Sequence, residues 1–234
     1  MKNVYVTTTR LLRRLLAGTG LLRLLDRWAA RSRTGLWLRS LLSIYDLGDL
    51  LPHDVPWWTF RSADIVERHL AERPGARVFE WGSGASTAWL SRRAASVTSV
   101  EHDAAWAEMV RPVLPLNADV RVIEPVGSTG GAEVVRSARA GFEGLDFSAY
   151  VDALDATSGD YDLIVVDGRA REACFAKAVS RLAPGGVLVF DNVDRERYRD
   201  AIAAAPVAVE VEWTRGLTPA LPYPTRTALV RRAA

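Results

Sequence analysis

Five short runs rich in β-branched and apolar residues, at 77–80, 97–101, 120–124, 161–166 and 186–190, are separated by stretches with helical spacing. This alternation restricts the fold more than any other feature of the chain. Strands that read as continuous apolar runs, as Leu163-Ile164-Val165-Val166 does, belong to a parallel sheet covered by helices on both faces. Helices are expected over 62–72, 85–95, 104–114, 147–154, 170–182 and 194–204, with a turn at Pro184-Gly185-Gly186 before the fifth strand. Residues 125–145 are glycine-rich and irregular. Two further β-rich stretches, 207–213 and 227–231, follow with a proline-containing loop and no helix between them. They form a hairpin, so the last strand runs antiparallel. The class is α/β, a Rossmann-like, mostly parallel seven-stranded sheet behind a helical N-terminal extension.

The extension is legible in the charge. The chain carries 30 basic and 28 acidic residues, yet residues 1–45 hold nine arginines and lysines against the single acid Asp26. A basic leader therefore precedes an acidic body, and the near-neutral total excludes a protein built around nucleic acid. Leu11, Leu12, Leu15 and Leu16 share one helical face, and Leu21, Leu22, Leu24, Leu25 and Trp28 another, with Gly18-Thr19-Gly20 as the break. A third segment groups Trp37, Leu41, Ile44 and Tyr45. Pro52 and Pro56 set the boundary, dividing the chain into 1–56 and 57–234. The leader is expected to pack on the core; contact with a partner or an anionic membrane surface through residues 10–45 is the other use of such stripes.

Cys174 is the only cysteine, so no internal disulfide forms, and three histidines leave little for a zinc site. No apolar run approaches the roughly 20 residues that cross a bilayer. Arginine supplies nearly all the positive charge, with only Lys2 and Lys177 besides, which reads as a bacterial compositional bias. The expected location is cytoplasmic, with peripheral membrane contact as its variant.

Chemistry gathers where strands end, because ligands in such sheets bind at the carboxyl ends of the strands near the switch in strand order. The first run ends in Glu80-Trp81-Gly82-Ser83-Gly84-Ala85-Ser86-Thr87. Its two glycines allow a sharp turn and close approach of backbone to a ligand. A dinucleotide fingerprint needs glycine at 87, where threonine stands, and Glu80 is ill-suited to a diphosphate. Glu101 ends the second run, 17 positions after Gly84, and its two oxygens match the vicinal diol of a ribose. His102 follows, and Asp103 suits a helix cap. Asp167 ends the fourth run inside Val165-Val166-Asp167-Gly168-Arg169-Ala170-Arg171, and Asp191-Asn192 ends the fifth.

This ordered set of motifs resembles the class I S-adenosylmethionine-dependent methyltransferases, over residues 57–234. The resemblance implies a sheet of seven strands with the last antiparallel, and S-adenosylmethionine as cofactor. It places Gly82 and Gly84 against the methionine and sugar, Glu80 near the amino group and Glu101 on the ribose. Ser83, Ser86, Thr87 and His102 belong to the same cofactor group; the segment before the core, Pro56-Trp57-Trp58-Thr59, either closes over it or packs the leader on the core. Asp167 is the candidate catalytic residue.

In the catechol-type O-methyltransferases an aspartate after the fourth strand and an Asp-Asn pair after the fifth hold Mg²⁺. Asp167, Asp191 and Asn192 occupy those positions here, so Mg²⁺ as a second cofactor is one reading of the three; in the other, Asp167 handles cofactor or substrate and Asp191 caps a loop. This chain departs from that pattern at Ala170, which stands where that family has its lysine base, and the flanking Arg169 and Arg171 stay protonated. The expected reaction is methyl transfer to a small-molecule or glycan-like acceptor at oxygen. An aminopropyltransferase, or a non-catalytic membrane or partner adaptor on the same fold, is the alternative. Arg136 and Arg139 in the irregular stretch, with Arg169 and Arg171, are candidates to receive an anionic acceptor, with solvated loop charges as the competing reading.

Overall fold

The computed structural model describes residues 2–43, 47–128 and 134–233. Four helices form the leader: α1 (Lys2–Gly18), α2 (Leu21–Ala29), α3 (Arg33–Ser40) and the single turn α4 (Leu47–Leu50). The core then runs α5 (Phe60–Ala71), β1 (Arg77–Trp81), α6 (Ala85–Ser91), β2 (Ser96–Glu101), α7 (Ala104–Val110) and β3 (Ala118–Val122). A ribbon of β4 (Val126–Gly127) and β5 (Leu145–Asp146) follows, then α8 (Ser148–Asp152), β6 (Tyr161–Val166), α9 (Arg171–Ser180) and β7 (Leu182–Asp191). The chain closes with α10 (Glu196–Ala203), β8 (Val209–Gly216) and β9 (Thr225–Arg232).

Seven strands form one sheet in the order β3-β2-β1-β6-β7-β9-β8, with β9 antiparallel to both its neighbours and the other pairs parallel. Strand order reverses between β1 and β6, so the binding crevice of such a sheet opens at their carboxyl ends. Strand alternation splits the core in two. Leu163, Val165, Val187 and Val189 point to the layer of α5 and α6, where Trp58, Val66, Leu70 and Trp89 pack. Ile164, Val166, Leu188 and Phe190 point to the opposite layer, with Phe175 of α9 and Tyr198 of α10.

Local boundaries follow from caps and prolines. α5 begins earlier than its apolar pattern predicts because Thr59 Oγ1 accepts the Ser62 amide at 3.1 Å and starts the helix there. Pro112 converts the end of α7 into a 3₁₀ turn over Arg111–Val113. Pro184-Gly185-Gly186 lies inside β7 as a bulge: pairing with β6 jumps from Leu182 to Val187, and Gly185 takes φ 68°. The β4–β5 ribbon inside the irregular stretch has no sequence signature, since two-residue strands carry no period.

The leader does not behave as one unit. Gly20, at φ 78°, separates α1 from α2 at the expected break. A β-carbon at Gly35 would lie 2.8 Å from Trp28, so glycine is what lets α3 lie against α2. Arg39 is 5% exposed and bonds Asp26 at 2.7 Å and Asp49 at 2.8 Å, tying α2, α3 and α4 together. α3 reaches the core through Trp37 Nε1, which donates to the Leu221 carbonyl at 2.8 Å, and Ser40 Oγ, which accepts the Ala220 amide at 2.9 Å. Ile44 and Tyr45 lie outside the described residues. By contrast α2 buries no residue, and Leu11, Leu15, Leu21 and Leu24 stay more than half exposed. Among the described residues no helix is long and apolar enough to cross a membrane.

Trp58, just after the leader, packs into the core. It is fully buried, edge-on to Trp89 with ring centroids 5.9 Å apart. Trp58→Ala is expected to cost about 3–5 kcal/mol in urea denaturation; a loss below about 1 kcal/mol would contradict this packing.

Candidate active site

β1 delivers Glu80 to the interior with no exposed surface. Three hydroxyls surround its carboxyl: Ser86 Oγ donates to Oε1 at 2.5 Å, and Thr87 Oγ1 and Ser99 Oγ donate to Oε2 at 2.5 and 2.9 Å. Burial pushes this carboxyl up to about 7, against the pull of those hydroxyls. Thr87 Oγ1 also accepts the Gly84 amide at 2.9 Å, so Glu80 holds the Gly82–Gly84 turn through the first turn of α6. Gly82 takes φ 101°, and a β-carbon there would sit 2.8 Å from the Gly168 backbone. The glycine serves the contact between the turns after β1 and β6.

Glu101 ends β2 with 2% exposure. Oε2 accepts from the Ser83 amide and the Ser83 hydroxyl, both at 2.9 Å. Oε1 accepts the amides of His102 and Asp103 at 2.8 and 3.0 Å. His102 Nδ1 lies 2.6 Å from the same oxygen. Burial opposes ionisation of Glu101; the His102 ring, Ser83 and the Asp103 amide outweigh it and hold the carboxyl below the usual range. Glu80 and Glu101 thus differ in state although both are buried acids at neighbouring strand ends.

The expected cofactor residues fall into two neighbouring bonded sets, Glu80 with Gly84, Ser86 and Thr87, and Glu101 with Ser83 and His102, with Gly82 in the turn between them. Thr59 stands apart from it. Its hydroxyl is fully buried against Ser62 and Thr214 of β8, at 2.7 and 2.9 Å, and caps α5. The segment expected to close over the cofactor instead packs Trp58 into the layer of α5 and α6.

Asp167, Asp191 and Asn192 do come together, but around a protein cation. Arg171, 7% exposed, donates from Nε to the Gly168 carbonyl at 3.0 Å. Its Nη1 reaches the Asp191 carbonyl at 2.9 Å and Asn192 Oδ1 at 3.1 Å. Its Nη2 donates to the Asp167 carbonyl at 2.6 Å and pairs with Asp167 Oδ1 at 2.7 Å. The Asp191 carboxyl is spent on Thr227 Oγ1 at 2.6 Å and Asn192 Nδ2 at 2.5 Å. Burial, then the charge of Asp167, pushes Asp191 up to about 7. The Mg²⁺ reading is thereby corrected: Arg171 takes Asp167 Oδ1 and Asn192 Oδ1 and supplies positive charge, while Thr227 and Asn192 hold the Asp191 carboxyl, so these residues do not fit a metal. Among the described residues no cluster of three or more His, Cys, Asp or Glu side chains is placed to hold an ion. Asp167 Oδ2 alone has no partner among the described residues.

Sequence reasoning missed what covers the crevice. Phe142, carried between Gly141 and Gly144 in the loop closed by β4 and β5, lies 5.3 Å from the His102 ring, with Phe147 and Tyr150 behind. The Arg169 guanidinium lies over the Phe142 ring, 5.1 Å from its centroid. Only the glycine flanks of Phe142 marked it as a turn residue. Arg136 lies near Asp146, whose carboxyl its charge helps hold low, after the stronger hydrogen bonds from Ser148.

In thermal melts, millimolar Mg²⁺ and EDTA are expected to give the same midpoint; a rise with Mg²⁺ would restore the metal reading. Arg171→Ala, which leaves two buried acids uncompensated, is expected to cost about 3–5 kcal/mol.

Comparison with known proteins agrees with this architecture. Residues 79–193 match a family model described as a methyltransferase domain. Among solved structures, a putative rRNA methylase from Clostridium thermocellum superposes with TM-score 0.51 at 10% identity, covering 74% of this chain and 96% of that one. At this identity the likeness is one of fold. A putative methyltransferase from Streptococcus mutans in complex with SAH gives 0.49 at 12% identity, over 72% of this chain and 96% of the other. An amino pentose methyltransferase from Micromonospora echinaspora, bound to SAM, gives 0.45 at 18% identity, over 74% and 91%. Comparison with proteins of curated function gives no match. The matched residues include the strand ends that carry Glu80, Glu101, Asp167 and Asp191, and over them the chain is similar to a methyltransferase domain.

Proposed function

We propose that the crevice between β1 and β6 binds S-adenosylmethionine with Glu101 on its ribose, and that the methyl group passes to a hydroxyl of a small-molecule or glycan-like acceptor. Glu101 carries this reading. It is an ionised, buried carboxylate beside the Gly82–Gly84 turn, and its nearest movable neighbours are a hydroxyl rotor and an imidazole. The Ser83 hydroxyl and the His102 ring are the groups that a vicinal diol would displace. The cofactor supplies a methyl group already activated on its sulfonium, so the chain's share is to bind, orient and exclude water. Glu80 acts through Thr87 as a positioning residue for the turn. Asp167 Oδ2 takes the acceptor's hydroxyl proton while Oδ1 stays fixed on Arg171. Burial raises Asp167 against the pull of Arg171 and Arg169, in the direction that suits a base.

By isothermal titration the protein is expected to bind S-adenosylmethionine. Glu101→Ala should weaken binding at least about tenfold, the worth of a charge-assisted hydrogen-bond pair at ~1.5–3 kcal/mol. Asp167→Asn should leave affinity within about twofold. Equal affinity of wild type and Glu101→Ala would contradict the assignment.

We further propose that residues 1–56 are an extension distinct from the catalytic domain and rest on an anionic membrane surface. Leu11, Leu12, Leu15, Leu21, Leu24 and Trp28 are between 45% and 60% exposed, with Arg14, Arg23 and Arg27 also exposed around them. Apolar residues interleaved with arginine match an interfacial helix. The full chain should co-sediment with phosphatidylglycerol vesicles and less with phosphatidylcholine vesicles, and Leu15→Glu with Leu24→Glu should abolish it. Retention of that double variant on the vesicles would contradict the proposal.

A further inference from the structure

Three arginines line one cavity with almost no acid to balance them, and a fourth, Arg169, lies within range of the charge of one of them. A cavity of about 400 Å³ lies between the loop at Ala138-Arg139-Ala140 and the turn after β7, where Arg195 and Arg197 line it. Arg169, following β6, is close enough to feel the charge of Arg139. Among the described residues Arg139, Arg169 and Arg195 meet no carboxylate; Arg197 has one, Glu172 at 2.9 Å. The ring of Tyr198, itself 4% exposed, organises the group. Arg195 and Arg197 stack on it at 5.6 and 4.8 Å and donate to its hydroxyl at 3.1 and 3.3 Å. On the inner side the Arg169 Nε is buried without a partner. Burial, then the charges of Arg139 and Arg171, pull Arg169 below the usual arginine range. Like charges held together in this way repel unless an anion joins them.

We propose that this cavity binds the oxyanion of the methyl acceptor, and that the acceptor is a small molecule carrying a phosphate group. The inference rests on the methyltransferase reading above and names its substrate class. Guanidinium forks match phosphate oxygens in pairs, and three of them converging on one cavity suit a dianion better than a single carboxylate. The volume is that of a small-molecule site. Arg169, within range of the Arg139 charge, lies over Phe142, whose ring centroid is 5.3 Å from that of His102 beside Glu101. A phosphate held there would leave the rest of the acceptor reaching toward Asp167, two residues from Arg169.

The test titrates the full chain, saturated with S-adenosylmethionine, with inorganic phosphate at constant ionic strength. Phosphate should bind, and Arg195→Ala with Arg197→Ala should weaken it at least about tenfold. Arg139→Ala, on an exposed loop, should weaken it as well, while the lysine replacements Arg195→Lys and Arg197→Lys retain part of the affinity. Cofactor affinity in each variant should equal that of wild type. Absence of phosphate binding, or binding unchanged by these substitutions, overturns the proposal. So does competition between phosphate and the cofactor, which would assign the arginines to the cofactor's own carboxylate. So too would a single-stranded oligonucleotide that holds these arginines against excess phosphate. Failure of the chain to bind S-adenosylmethionine at all is a separate result, and it would overturn the reading of the crevice.

Discussion

A buried guanidinium holds the far wall of the crevice. Parallel strands end at a common edge, and in this sheet four of those ends place an acid there: Glu80, Glu101, Asp167 and Asp191. Gathering carboxylates in a water-poor space is unfavourable unless each is neutralised, paired or hydrogen-bonded. Arg171 answers for two of them, joining the turn after β6 to the turn after β7 through five contacts. Without it, neither Asp167 nor Asp191 has an adequate counter-charge, and the Gly168 turn that packs on Gly82 loses its support.

The other two acids are handled by different chemistry. Glu80 is enclosed by hydroxyls, which donate hydrogen bonds but carry no charge, so burial wins and its carboxyl rises. Glu101 has backbone amides and an imidazole, so it stays ionised. The result is a division of labour along one edge. A near-neutral acid shapes the glycine turn, an ionised acid waits for hydroxyls, and an arginine-paired acid keeps one oxygen open to the acceptor side. A divalent cation does not fit this scheme, because Arg171 supplies the positive charge and takes Asp167 Oδ1 and Asn192 Oδ1, while the Asp191 carboxyl is held by Thr227 and Asn192.

The strand ends were readable because their physics is local. Apolar runs gave the parallel strands, the missing helix before 227–231 gave the antiparallel partner, and the strand termini pointed to the acids. What stayed hidden depends on pairs distant in sequence. Arg171 looked like a crevice-lining cation, and nothing in Arg-Ala-Arg tells which arginine turns inward; Ala170 in the left-handed region, at φ 47°, decides it together with the Asn192 turn at φ 59°. Asp167, Asp191 and Asn192 kept the spacing of a metal site while the side chain between them removed its function. Thr59 was similar in kind: a hydroxyl next to two tryptophans reads as a lid, but Thr214, 155 residues later, claims it. Phe142 could not be found at all, since its role rests on a loop closed by two-residue strands.

A crystal structure with S-adenosylhomocysteine tests Glu101 as the ribose anchor most directly. Both ribose hydroxyls should lie within hydrogen-bond distance of the Glu101 carboxylate, with the Ser83 hydroxyl turned aside and the Arg171 guanidinium still between Asp167 and Asn192. A ribose bound elsewhere, with Glu101 still closed on Ser83 and His102, would contradict it.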